Sequence, residues 1–147
     1  MSGALTLDAA RIIADTALSV GRSRGMAPLA VAVLDARGAL KAYLAEDATS
    51  LLRFDIAYGK AWGTLGMGFG GRELARRATR APAFMTALQT MSDGRMVPAA
   101  GGVLIRNGTG AIIGAVGISG DSSDNDELCA VAGIEKAGLA ADTGDPR

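Results

Sequence analysis

A chain of 147 residues with 49% apolar side chains, 15 Lys and Arg against 15 Asp and Glu, no histidine and one cysteine reads as a single globular domain spanning residues 1–147. Zero net charge and a pI near 6.2 argue against a generic nucleic-acid or anionic-membrane binder, which would need clustered cations to neutralise phosphates. The missing histidines remove Ser-His and Cys-His nucleophiles, imidazole bases and His-ligated zinc or haem at once.

Thr6 caps a predicted first helix that runs to about Arg24, with Leu7, Ala10, Ile13, Ala14, Ala17 and Leu18 at three-to-four spacing. Gly25 ends it. PLAVAVLD then reads as a buried strand, turned by Asp35-Ala36-Arg37-Gly38 into its hairpin partner GALKAYLA. From Thr49 or Ser50 the pattern is helical again, with Leu51, Leu52, Ile56, Ala57, Lys60, Ala61 and Thr64 on one stripe. The glycines from Gly63 to Gly71 predict that this helix frays into a loop. GRELARRATR and the Pro82-started PAFMTALQTM read as two short helices.

Gly101-Gly102 precedes a second hairpin, VLIRN and GAIIGAVGIS, turned by Asn107-Gly108-Thr109-Gly110. Ser122 or Ser123 caps a terminal helix through about Ala141, with Asp124, Asp126 and Glu127 at its positive end. The tail ADTGDPR reads as loose. The order helix, hairpin, helices, hairpin, helix is α+β with an antiparallel sheet.

Charge is uneven along this order. Residues 53–106 carry eight cations against three anions, and residues 107–147 carry two cations against seven anions. The two regions attract each other, either within a subunit or between subunits. The lone Cys129 cannot form an intrachain disulfide and says nothing against a reducing compartment, MSGALTLDAARIIADTAL shows no export signal, and the apolar stretch from Ala27 to Leu34 is too short to span a bilayer. The expectation is a cytoplasmic protein with no membrane or nucleic-acid partner.

Three blocks coincide with a family pattern: VAVLDARGALKAYLAEDA at 31–48, IAYGKAWGTL at 56–65 and GGVLIRNGTGAIIGAVGISGDSSDNDELCAVAG at 101–133. They resemble the HbpS/GlcG-like family, which includes the C-terminal domain of PduO-type cobalamin adenosyltransferases. The resemblance implies a profilin-like domain, a five-stranded antiparallel sheet flanked by helices, assembled as a homo-oligomer. It also implies haem binding or degradation, or an accessory role in a catabolic operon. Two departures stand out: Ala45 where many relatives have arginine, and Leu104 where they have proline. The lost arginine points to a different ligand, and haem, if bound, has no histidine to ligate it.

Lys60 is the odd member of an apolar stripe. An inward lysine pairs with a carboxylate as a structural salt bridge, or serves a ligand or a proton transfer. In GISGDSSDNDE, the glycines and helix-start N–H groups could cradle an anion, but the acids there also cap the helix themselves. On the functional reading Lys60, Asp126 and Glu127 are the catalytic candidates, and Asp35, Lys60, Gly101, Gly102, Ser119, Gly120 and Asp126 bind the ligand. No metal site is predicted. The glycine runs match neither phosphate-loop nor dinucleotide spacing. Arg72, Arg76, Arg77 and Arg80 form a solvated face or hold a carboxylate-bearing ligand. Tyr43, Tyr58, Met67 and Cys129 are core residues by default, with haem-iron ligation as the rarer alternative. Three readings follow: a small-molecule-binding protein, a cofactor-independent isomerase, hydratase or lyase using Lys60 and a carboxylate, or a structural oligomeric subunit.

Overall fold

The computed structural model describes residues 3–146. The first helix, α1, spans Leu7–Ser23, and the Thr6 hydroxyl accepts from the Ala9 N–H as the sequence predicts. Strands β1 (Ala30–Asp35) and β2 (Leu40–Ala45) form the first hairpin. The second helix, α2, covers Arg53–Met67, followed by α3 (Gly71–Arg80) and α4 (Pro82–Met91). The second hairpin joins β3 (Gly102–Arg106) to β4 (Ile112–Ser119). Helix α5 spans Ser123–Lys136, and its cap is Ser122, whose hydroxyl accepts from the Asn125 N–H.

Three boundaries differ from the sequence reading. Helix α2 starts at Arg53, so Leu51 and Leu52 precede it and are 92% and 62% exposed instead of sharing its buried stripe. It also runs through Gly63 and Gly66 and stops at Gly68, which takes the left-handed conformation with φ 77°. Packing on one face sustains a helix that glycine propensity alone would end. Helix α5 stops at Lys136, and Ala140–Asp142 forms a fifth strand, β5, antiparallel to β3. The predicted loose tail is therefore partly a sheet edge. Its end is held as well, since Arg76 and Arg106 bind Asp145 and Asp142.

The result is the five-stranded antiparallel sheet of an α+β fold, in the order β2-β1-β4-β3-β5. Residues 30–34 of β1 are all buried because this strand is central and covered on both faces. Val31, Val33, Val103, Ile105, Val116 and Ile118 point to one face and pack with Ile13, Ala17, Ala130 and Ile134 of α1 and α5. Leu34, Leu104 and Ala115 point to the other and meet Ala61, Tyr58 and Trp62 of α2. Helix α2 lies unusually close to the sheet. A Cβ on Gly117 would fall 1.8 Å from the Ala57 carbonyl oxygen, so β4 accepts this helix only with glycine there. No described helix is long and apolar enough to cross a membrane.

The charge asymmetry resolves within the subunit. Arg72 binds Asp124 and Glu127, Arg76 binds Asp145, and Arg106 binds Asp142. The cationic middle and the anionic end of the chain meet across α3, α5 and β5.

Candidate functional site

On α2, the sequence AYGKAWGT places Ala57, Lys60, Ala61 and Thr64 on the face turned to the sheet, and all four are buried. Lys60 reaches the gap where β4 ends and β3 begins. There its ammonium donates to the Ile118 carbonyl at 2.9 Å and to Asp126 Oδ2 at 3.2 Å. Asp126 comes from the first turn of α5, on the opposite face of the sheet, and its other oxygen accepts from the Asp121 N–H at 3.0 Å. The pair thus rivets helices from two layers through one opening.

Both partners are almost wholly enclosed, Lys60 being 4% and Asp126 1% exposed. Burial is the dominant influence on each and disfavours the charged form. It pushes Lys60 below its usual value against the pull of Asp126, and pushes Asp126 above the usual carboxylate range against the pull of Lys60. Gly101 closes the opening with φ 103°; a Cβ there would fall 2.8 Å from Nζ and 3.2 Å from the Asp126 Cβ. Not even a methyl group fits beside the ammonium on that side.

The structure places the remaining predicted residues in different surroundings. Gly102 lets β3 approach the Lys60 backbone carbonyl, and Gly120 lies against the Pro28 carbonyl on the other side of the sheet end. Ser119 is buried and accepts from Arg53 Nη1 at 3.0 Å. Glu127 faces Arg72 Nε at 2.8 Å and does not join Lys60. Asp35 is opposite Gly114 while Ala30 is opposite Ser119, so Asp35 lies about 17 Å along the strand from the site at ~3.4 Å per residue. There it binds the Arg37 and Ala39 N–H groups of its own turn. Among the possible soft or phenolate ligands, Tyr43 and Tyr58 pack on Phe54, and Cys129 is buried against the Met26 sulfur. Burial pushes the Cys129 thiol up to about 11.

A second feature gathers residues that the sequence offers only separately, the arginines of α3 as a solvated face or the holders of a carboxylate-bearing ligand and Met67 as a core residue or iron ligand. Helices α2, α3 and α4 leave a cleft of about 210 Å³ between Met67, Leu74, Ala81, Phe84, Met85 and Leu88, with Arg77 and Arg80 at its rim. Arg77 stacks over the Phe69 ring at 4.0 Å. Glu73 neutralises the rim incompletely. Its Oε2 is shared by Arg77 at 2.8 Å and Arg80 at 3.2 Å, while its Oε1 is bound by Arg76. Hydrogen bonds from Arg77 and Arg76 hold this carboxyl down to about 2. Apolar walls with a surplus of guanidinium suit a ligand with an apolar body and anionic substituents. The signal in the sequence was the spacing of Arg77 and Arg80 against the charge-free run that follows them.

The comparisons fall in line with this fold. A family profile described as haem degrading protein HbpS-like matches residues 5–135. The crystal structure of a PduOC–haem complex superposes with a TM-score of 0.84 at 24% identity, covering 97% of this chain and 99% of that one. HbpS superposes with a TM-score of 0.78 at 29% identity, over 92% and 91% of the two chains. Protein ORFY of Klebsiella pneumoniae gives 0.84 at 22% identity, over 94% and 93%. No curated protein matches the sequence.

Proposed function

The chain belongs to the HbpS-like family, and from that premise we propose that it binds a small amphipathic ligand carrying anionic groups, with haem as the candidate. The observation that carries this reading is the cleft of α2, α3 and α4, where two arginines share one carboxylate oxygen at the rim of an apolar hollow.

The residues present fit haem in part. Leu74, Phe84 and Leu88 supply an apolar wall, and Arg77 and Arg80 match the carboxylates of its propionates. With no histidine in the chain, the donors on the cleft wall suited to iron are the thioethers of Met67 and Met85. The hollow of about 210 Å³ is smaller than the roughly 300–1,000 Å³ that encloses a drug-sized ligand, so it holds one edge of a macrocycle.

In this reading Lys60 and Asp126 are structural. The enzymatic alternative, in which Lys60 exchanges a proton with a substrate through Asp126 or Glu127, has less support. The ammonium is enclosed, a Cβ at Gly101 would already crowd it, and Glu127 is engaged by Arg72.

Titration with ferric haem tests the proposal. Trp62, the one tryptophan, packs on the cluster of Met85, Leu88 and Met96 beneath the cleft and serves as the internal reporter. The expected result is a saturable, shifted Soret band with quenching of Trp62, and about tenfold or greater weakening in Arg77→Ser/Arg80→Ser. Both arginines are substantially exposed, so the double variant folds. A spectrum identical to free haem, or equal affinity in the double variant, would overturn the proposal.

A further inference from the structure

The rim of the cleft carries its own anion. Glu73, Arg76, Arg77 and Arg80 all belong to α3, and their helical spacing puts them on one side of it. Glu73 Oε2 lies 2.8 Å from Arg77 Nε and 3.2 Å from Arg80 Nη2, so the two nitrogens stand within about 6 Å of each other with a carboxylate oxygen between them. That is the position an incoming carboxylate needs if it is to engage both arginines. The other oxygen of Glu73, Oε1, is held separately by Arg76 Nε at 2.8 Å. Arg76 is itself anchored to the C-terminal segment, through Asp145 and, at 2.6 Å, the Gly144 carbonyl.

We infer that Glu73 is a built-in competitor for the anion site: its carboxylate occupies Arg77 and Arg80 itself, and a bound ligand's carboxylate takes over the Oε2 contacts while Glu73 stays on Arg76. This rests on the reading of the cleft as the site of an anion with an apolar body, and it adds the regulation of that site. The hinge follows from the contacts. Glu73 can release Arg77 and Arg80 without becoming unpaired, because Arg76 binds its other oxygen. Arg76 does not depend on Glu73 for its own place.

The exchange decides what the cleft can hold. Replacing one carboxylate by another on the same two cations gains little, since like contacts replace like. The incoming group also loses the translational freedom that the tethered Glu73 has already given up. The net affinity must therefore come from the apolar wall of Leu74, Phe84 and Leu88. A small carboxylate without an apolar body is turned away, because it cannot outcompete a side chain that is always present. An apolar body without a carboxylate leaves Glu73 where it is and gains nothing from the arginines. When a ligand leaves, Glu73 closes back onto Arg77 and Arg80, so the rim never passes through a state with two unpaired guanidiniums. Such a site suits a protein that hands its ligand on instead of retaining it.

The test titrates the full chain with 2-naphthoate, an apolar ring system bearing one carboxylate, and with its uncharged amide, followed through the Arg77 Nε–H resonance and Trp62 fluorescence. Glu73→Gln keeps the shape of the side chain, and Arg76 keeps Asp145, so the variant folds. It is expected to bind 2-naphthoate about tenfold more tightly than wild type and to bind the amide equally. Adding Glu73→Gln to Arg77→Ser/Arg80→Ser should change nothing, because a competitor acts only through the arginines it occupies. Tightening in that background would mean plain charge repulsion and would overturn the inference. So would equal 2-naphthoate affinity in wild type and Glu73→Gln, an equal gain for the amide, or no 2-naphthoate binding by either protein. Ferric haem separates this inference from the reading it rests on. Haem bound with equal affinity by wild type and Glu73→Gln overturns the competitor and leaves haem as the ligand. The expected gain for 2-naphthoate without any haem binding keeps the competitor and removes haem.

Discussion

Removing one partner of the Lys60–Asp126 rivet should destabilise the protein severely, and the two single variants should respond to pH in opposite directions. Lys60→Met leaves the Asp126 carboxyl 1% exposed with only the Asp121 N–H to satisfy it. Breaking a buried pair this way costs about 3–5 kcal/mol, against a total stability of roughly 5–15 kcal/mol. For a chain of this size that is a fall in Tm of about 6–20 °C, at roughly 2–4 °C per kcal/mol. Burial already pushes Asp126 above the usual carboxylate range, and losing the lysine pushes it higher. A carboxyl raised in the folded state contributes stability below its unfolded pKa of about 3.9, and loses it as pH rises through the folded value. Lys60→Met should therefore be nearest wild type at acidic pH and worst at neutral pH. Asp126→Asn behaves as the mirror image. It leaves Lys60, pushed downward by burial, without its carboxylate, so the folded form prefers the neutral amine and stability is recovered as pH rises toward about 10. Lys60→Met/Asp126→Leu, which removes both charges, should return close to wild type or exceed it. Urea unfolding at a series of pH values reads all three. Single variants within about 1 kcal/mol of wild type at neutral pH, or pH slopes of the same sign, would refute the assignment of a paired, enclosed charge.

Two glycines test the close approach of α2 to the sheet. Gly117→Ala drives a methyl group into the Ala57 carbonyl and should cost about 3 kcal/mol or more. Gly66→Ala, in α2 itself where a Cβ meets nothing, should gain about 0.5–1 kcal/mol. Equal urea midpoints for the two variants would reject the packing argument. Cys129 should resist a thiol reagent until the protein unfolds, because it is fully buried and its thiol is pushed up to about 11. Rapid labelling under native conditions would place it at the surface.

What could be read from the sequence is what depends on neighbours along the chain. Thr6 and Ser122 as caps, both hairpins and the inward position of Lys60 follow from local periodicity and hydrogen-bonding chemistry, and the structure has them where the spacing puts them. Asp126 stands among the sequence candidates as an acid at the positive start of α5 that faces Lys60 or a ligand, and the structure pairs it with Lys60. Its neighbour Glu127 was equally plausible on spacing. One residue of helical rotation, about 100°, separates the carboxylate that enters the sheet gap from the one that turns to Arg72.

What could not be read depends on contacts across long sequence distances. Strand β5 is three residues of unremarkable composition between two glycines, and only its pairing with Leu104, Ile105 and Arg106 makes it a strand. Helix α2 outlasts its own glycines because Ala57 and Ala61 sit against Gly117, a packing gain that a propensity argument does not see. The cleft is the sharpest case. Its wall comes from the end of α2 and from α3 and α4, and its rim comes from arginines whose helical spacing looks like an ordinary solvated face. The feature that separates a binding rim from such a face is the number of carboxylates available to it, which is a three-dimensional count. Here Arg77 and Arg80 converge on a single oxygen of Glu73, and the acids that could have relieved them, Asp124 and Asp145, are taken by Arg72 and Arg76. The unspent positive charge is left beside an apolar cleft of the helical layer, and the proposed ligand is chosen by that coincidence.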